Sequence, residues 1–343
     1  MNSRPSVMLL GDLIVDISME LEAYPALGEE VMARQASFHP GGGVANTACV
    51  LAKLGILPRL YARVGSDPLG DYLLNEYTRA GIDLSGVTRD AAHPTGLIFI
   101  PTVPGGERTM FSSRGANVFL SPADVPESCL SGVDLLQLTG YAFLGSPQRE
   151  AAWKAINLAQ ARGILISMDV ALDPVIKCRD DILRLLGSLA ICVLGQEEAA
   201  ALLGTRTPEE SARVLLERGV STAAIKLGSR GSYFADREHH QFIPALPVRS
   251  VDATGAGDAF AAGLIFARLA GLNLPASGML ASALGALATT VFGAGPSLPG
   301  GSELLGFLVD LKKGGGYPEY AVALASAMEA LVQRTERNHG LQD

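Results

Sequence analysis

The chain has 343 residues, 48% hydrophobic and 18% charged, which excludes a disordered polypeptide and suffices for one large α/β domain or two smaller ones. Its formal net charge of −8 and the lack of any Lys/Arg block argue against nucleic acid and anionic membrane as partners. Cys49, Cys129, Cys178 and Cys192 are scattered without a C-x-x-C pair, the pattern of a reduced, cytoplasmic protein, and the histidines lack zinc-ligand spacing.

Residues 7–16 are predicted as one strand in which Asp12, Ile14 and Asp16 share a parity, so two carboxylates point to one face of an otherwise apolar segment. Burying them requires donors, and sugar hydroxyls are suitable. Residues 18–40 show no helical period and contain a strand-like stretch at 30–39. Gly41, Gly42 and Gly43 then open a helix to Leu54, with Asn46 in its first turns offering both a donor and an acceptor. A strand follows at 60–64, and Asp67-Pro68 starts a helix to about Ala80. Residues 96–102 and 108–112 flank a predicted hairpin turn at 103–107 and, with 30–39, predict a small sheet standing off the main body.

From residue 133 onward, strands at 133–139, 164–169, 189–194 and 222–227 alternate with helices at 148–162, 180–186, 196–203 and 208–218. The last of these opens on Thr207-Pro208-Glu209-Glu210, with the residues of a capping box. This rhythm predicts a mainly parallel sheet with helices on both faces. Lys226 to Gly231 form a Gly-rich turn after the last of these strands, where open α/β sheets bind ligands, yet they match neither a Walker A loop nor G-x-G-x-x-G. No charge occurs between Arg268 and Glu303, but the content is small residues and proline, which predicts a buried helix at 276–292 rather than a membrane span. A final helix is expected at 318–334.

The densest signal is Asp252-Ala253-Thr254-Gly255-Ala256-Gly257-Asp258, followed at once by an apolar helical run to Leu269. Free N–H groups at a helix start favour an anion. Asp258, in the first turn, places a carboxylate beside that anion, and the helix dipole is expected to keep its pKa low. A phosphate cradle next to a base points to phosphoryl transfer.

Two motifs in this order, Gly41-Gly42-Gly43-x-x-Asn46-x-Ala48 with Gly55 and Gly65, and Asp252-x-Thr254-Gly255-Ala256-Gly257-Asp258 with Gly263, resemble the ribokinase-like, or PfkB, family of carbohydrate kinases. The resemblance runs from the first strand to about Ser297. It implies a three-layer α/β/α core over residues 1–17, 37–96 and 113–343, with a β-sheet lid at 18–36 and 97–112. It further implies transfer of the ATP γ-phosphate to a sugar hydroxyl, expected to be primary, with Asp258 as base and Gly255, Ala256 and Gly257 as anion hole. Asp12, Asp16, Gly42, Gly43, Asn46 and Thr139 match the sugar side. Lys226, Leu227, Gly228, Ser229, Arg230, Gly231 and Ser282 match the nucleotide side, and Glu198 an indirect Mg2+ contact. Asp252, Thr254, Ala288, Val291, Gly293 and Ser297 match a loop for a monovalent cation such as potassium. A homodimer through the lid is also implied.

Three departures bear on substrate. Gly195-Gln196-Glu197-Glu198 stands where the family commonly has Asn-x-x-Glu. Thr139 and Ile14 replace an acid and an Asn of ribokinase, so ribose is not implied. Arg108 and Arg114 are placed to reach a carboxylate or a partner chain. A nucleoside kinase, a sugar-acid kinase of the 2-keto-3-deoxygluconate type and a non-catalytic sugar-binding relative stay open; a dinucleotide oxidoreductase lacks the early Gly fingerprint.

Overall fold

The computed structural model describes residues 4–104 and 108–339. Its first half holds strands β1 (Ser6–Leu10), β2 (Ile14–Glu20), β3 (Gln35–Gly41), β4 (Leu57–Gly65), β5 (Asp83–Asp90), β6 (Gly96–Thr102) and β7 (Phe111–Ser113). Strands β8 (Leu135–Thr139), β9 (Leu165–Asp169), β10 (Ile191–Gly195), β11 (Thr222–Lys226), β12 (Ser232–Ala235) and β13 (His240–Ile243) follow. The α-helices are α1 (Gly43–Lys53), α2 (Pro68–Arg79), α3 (Gln148–Ala161), α4 (Leu172–Lys177), α5 (Arg179–Leu185), α6 (Gln196–Leu203), α7 (Pro208–Glu217), α8 (Ala256–Leu269), α9 (Leu274–Ala288), α10 (Gly301–Gly314) and α11 (Ala321–His339).

Val7 and Leu9 of β1 pack into one apolar cluster, Met8 and Leu10 into another. A strand apolar on both parities belongs to a sheet covered on both faces. That sheet has nine strands in the order β13-β12-β11-β10-β9-β8-β1-β4-β5, parallel except for the β11-β12-β13 edge. Helices α1, α2 and α8 to α11 cover one face and α3 to α7 the other, giving the expected three layers. A separate four-stranded sheet has the order β3-β2-β6-β7.

Residues 7–16 are therefore not one strand. The chain leaves the large sheet at Gly11 and re-enters the small one at Ile14, so Asp12 and Asp16 do not share a strand face. The cause is a side chain far away in sequence: Asn117 Nδ2 donates to the Leu13 carbonyl and Asn117 Oδ1 accepts from the Leu13 N–H, both at 2.9 Å. That amide takes the hydrogen bonds a neighbouring strand would have made. The strand at Asp83–Asp90 has no counterpart among the predicted elements; as an edge strand it alternates weakly and is rich in polar residues. The predicted hairpin turn falls largely on residues outside the described ones, and Arg108 beyond it forms a single bridge to Thr102.

The uncharged stretch forms α9, which starts at Asn273, whose side chain accepts from the Ala276 N–H at 3.1 Å, and stops at Ala288 rather than 292. Helices α8 and α9 touch almost backbone to backbone: a Cβ added at Gly263 would lie 2.7 Å from Ala281 Cα. Among the described residues no helix is long and apolar enough to cross a membrane.

Candidate active site

Strands β1, β8, β9, β10 and β11 run parallel, so the residues at and just beyond their C-terminal ends line one edge of the sheet. These are Asp12, Thr139, Asp169, Gly195 and Lys226, and this edge is where open α/β sheets bind ligands. The start of α8 sits among them. Its N-cap, Gly255, has φ +78°, a left-handed conformation that a side chain would strain, and it turns the chain so that the next N–H groups lead the helix.

On one side of α8 lies the Lys226–Asp169 ion pair, Nζ to Oδ1 at 2.9 Å. A Cβ added at Gly257 would come within 3.1 Å of Lys226 Nζ and 3.8 Å of Asp169 Oδ2. The ammonium thus stands against the last residue of the glycine turn. Burial works against charging Lys226, but the charge and hydrogen bond of Asp169, with Glu198 and Asp258 nearby, outweigh it and hold the ammonium protonated. Asp169 belongs to neither of the two sequence motifs and is not among the residues they single out. Its only signal is an acid closing an otherwise apolar strand, in a position that aims it at the ligand edge.

Beyond this pair a cavity of about 490 Å³ is lined by Lys226, Gly228, Ser229, Gly231, Ser282 and Gly257 among others. Ser282 and Ser232 hydroxyls meet at 2.8 Å in its wall. Leu227 instead turns into the apolar core, and Arg230 donates to Gln196 Oε1. Both border an adjoining cavity of about 650 Å³ that shares Lys226 and Gly228 and also contains Glu198. The expected nucleotide loop is thus split between two cavities that meet at Lys226.

The other side of α8 is acidic. Asn46 Nδ2 donates to Asp258 Oδ2 at 2.8 Å while Asn46 Oδ1 accepts from the Gly295 N–H at 2.9 Å. Gly43 backs onto Asp258 Oδ1 and the Thr139 methyl, 3.2 and 3.4 Å from where its Cβ would be. Asp258 does not have the low pKa expected of a helix N-terminus. Burial, reinforced by the charges of Asp169 and Asp16, pushes it up to about 7 against the pull of Asn46 and Lys226. Asp16 is likewise raised to about 7, by burial and then by Asp252. Asp12 is buried and committed: Arg114 Nε and Nη2 donate to its two oxygens at 2.6 and 2.8 Å, and Gln148 Nε2 adds a bond at 2.7 Å. Gly42 packs on the Asp12 carbonyl.

A family model described as pfkB family carbohydrate kinase matches residues 4–300. The chain belongs to the pfkB family of carbohydrate kinases. A 2-dehydro-3-deoxygluconokinase of Bacillus subtilis is 32% identical over 277 residues, covering 78% of this chain and 86% of that protein. A fructokinase of Klebsiella pneumoniae is 31% identical over 309 residues, covering 85% and 96%. An E. coli structure described as a ribokinase II in complex with ATP and Mg2+ superposes with a TM-score of 0.81 at 25% identity, covering 89% of this chain and 99% of that one. As a family member the protein is a phosphotransferase, an ATP-dependent sugar kinase.

Two ions implied by the family can be compared with the residues of this kinase. Among the described residues no group of three or more His, Cys, Asp or Glu side chains could hold a metal. Mg2+ carried on ATP phosphates needs few protein ligands, and one carboxylate suffices. Glu198 fits that role: it borders the cavity beside Lys226 and folds over Gly195, where any Cβ would collide with it. The monovalent-cation loop is different. Asp252 Oδ1 accepts from the Thr254 N–H and hydroxyl at 2.9 and 2.7 Å, and Oδ2 from the Gly293 N–H at 3.0 Å. Arg108 Nη1 also reaches Asp252 Oδ1, at 3.3 Å, so the carboxylate is already neutralised. Ala288 ends α9 buried, Val291 is half-buried, and Ser297 is exposed. These residues do not fit a potassium ion while Arg108 is in place.

Proposed function

We propose that this kinase transfers the γ-phosphate of ATP to a hydroxyl of a neutral sugar, with Asp258 as base and the Gly255–Gly257 turn as the phosphate cradle. The observation that carries this is the sharing of one helix start by two opposite groups. Asp258 lies there on the acidic side, and Lys226 on the other, against Gly257. Phosphoryl transfer needs positioning and charge stabilisation more than covalent chemistry. Asp258 orients the attacking hydroxyl and takes its proton as the bond to phosphorus forms. A carboxylate with a pKa near neutrality is a better proton acceptor at the working pH than one near 4. Asn46 fixes which oxygen of Asp258 is left free. Lys226, held charged by Asp169, faces the moving phosphoryl group and offsets its charge. Glu198 is the residue that would hold Mg2+ on the ATP phosphates, where the ion supplies further neutralisation.

The small sheet is read as a lid over the sugar. The neutral-sugar reading rests on Asp12: its bidentate pair with Arg114 carries no net positive charge to attract a substrate carboxylate, and Asp16, the other buried acid of this flank, supplies none. The 2-dehydro-3-deoxygluconokinase relative supports a sugar acid instead. Coupled-enzyme measurement of ATP consumption on a panel of ketohexoses, aldoses, nucleosides and 2-dehydro-3-deoxygluconate decides between them. Turnover restricted to the sugar acid would overturn the neutral reading. Exposed Phe38 and Phe111 on the outer strands β3 and β7 support pairing of two lids in a homodimer, and a monomeric mass by light scattering would count against it.

A further inference from the structure

Arg108 lies between β6 and β7 of the lid, yet its Nη1 donates to Thr254 Oγ1 at 2.9 Å and to Asp252 Oδ1 at 3.3 Å. Those groups are not peripheral. Asp252 Oδ2 holds the Gly293 N–H, and two residues on, the Gly295 N–H is held by Asn46, whose Nδ2 holds Asp258. The far end of the same loop is fastened by Lys53, whose ammonium donates to the Pro296 and Leu298 carbonyls at 2.7 and 2.6 Å. A continuous run of contacts therefore joins a lid arginine to the base through Asp252, residues 293–295 and Asn46.

We propose that Arg108 is a built-in cation: its guanidinium neutralises Asp252 and fixes the loop that positions Asp258, in the place where the family resemblance would put a monovalent ion. The inference rests on the sugar-kinase reading of the site. Arg108 is a positioning residue, since it touches Asp252 and Thr254 rather than the reacting groups. A guanidinium keeps its charge at any working pH and suits an acceptor pair such as Oδ1 and Oγ1. With both its oxygens engaged and its charge met, Asp252 offers an added alkali ion no unneutralised carboxylate. The arrangement also ties ordering of the loop to the presence of the lid over the site.

The test compares wild type, Arg108→Ala and Arg108→Lys in potassium, sodium and tetramethylammonium chloride at one ionic strength. Wild-type kcat is expected to vary by no more than about twofold among the salts, whereas Arg108→Ala falls by about tenfold in tetramethylammonium. Potassium or guanidinium chloride is expected to restore most of that loss, and Arg108→Lys to need neither. A readout independent of turnover is the melting temperature. Potassium should raise it for Arg108→Ala by a few degrees and leave wild type unmoved. Wild-type activation by potassium, full activity of Arg108→Ala without it, or a folded Arg108→Ala whose lost activity neither cation restores would each overturn the proposal. A wild type that phosphorylates no sugar in any salt would instead overturn the kinase reading itself.

Discussion

The two flanks of helix α8 solve opposite problems with the same residue types. On the flank beside Gly257, Asp169 and Lys226 are both largely buried and satisfy each other at 2.9 Å, which keeps the ammonium protonated there. On the other flank, Asp16 and Asp258 have no ion-pair partner among the described residues, and burial raises each to about 7. Asp252, six positions before Asp258, is held low instead: burial would raise it, but the bonds from Thr254 and Gly293 and the charge of Arg108 prevail. What separates Asp252 from Asp16 and Asp258 is whether the partners supplied by the fold outweigh burial; for Asp169 burial prevails even over Lys226.

The contrast can be broken most forcefully at its centre. Asp258→Asn keeps the size of the side chain and its place beside Asn46 but cannot take a proton; kcat is expected to fall by about 100-fold or more, with sugar affinity by calorimetry largely kept. Near-normal turnover in that variant would end the base assignment. Next, Lys226→Met removes the positive charge from the nucleotide flank, and a loss of about 30-fold in kcat/KM for ATP is expected. Asp169→Asn should cost somewhat less, since Glu198 and Asp258 still favour the charged lysine; no loss at all would show that Lys226 stays charged without Asp169. Third, Asn46→Ala removes a bond that lowers the pKa of Asp258. The rise of kcat/KM with pH, expected through about 7 in wild type, should move to higher pH and kcat should drop by about tenfold.

The smallest effect is on stability. A carboxyl whose folded pKa lies above its unfolded value stabilises most below the unfolded value and loses that contribution as pH rises through the folded one. For Asp16 and Asp258 that window runs from the ordinary 3.8 to about 7. Acids held low, such as Asp67, Asp90 and Asp252, act in the opposite sense and have completed their change by about pH 5. The unliganded protein should therefore melt a few degrees lower at pH 8 than at pH 5.5, and Asp16→Asn should remove about half of that slope. A flat profile in the wild type would show that Asp16 is not titrating in this range.

The parts of this molecule that were legible in its sequence are those fixed by neighbours in the chain. The glycine turn before α8, the Gly41–Gly43 opening of α1 and the Asp67 and Thr207 caps all depend on backbone within a few residues. The parts that were not legible depend on distant partners. Lys226 meets Asp169 across 57 positions, Asp12 meets Arg114 across 102, and Arg108 meets Asp252 across 144. Period-two alternation through residues 7–16 gave no hint of the break at Gly11, because Asn117, not the local pattern, makes it. The expected low pKa of Asp258 failed for a related reason: a helix dipole acts within one turn, whereas burial and the charge of Asp169 are products of the assembled fold.

The position of β1 has a consequence for how the chain acquires its shape. Emerging before either neighbour, it ends up inside the sheet, between β4 and β8, with Val7 paired to Pro58 on one side and to Leu135 on the other. Pairing with β4 closes the shorter loop and can form earlier. The second ladder must await β8 at Leu135, so a mostly apolar strand keeps one open edge until then. The strands of the small sheet, β2, β3, β6 and β7, are all made before β8. The vulnerable moment for this enzyme is thus the stretch of translation before β8 appears, and substitutions that delay β8 should lower soluble yield without changing the activity of the molecules that fold.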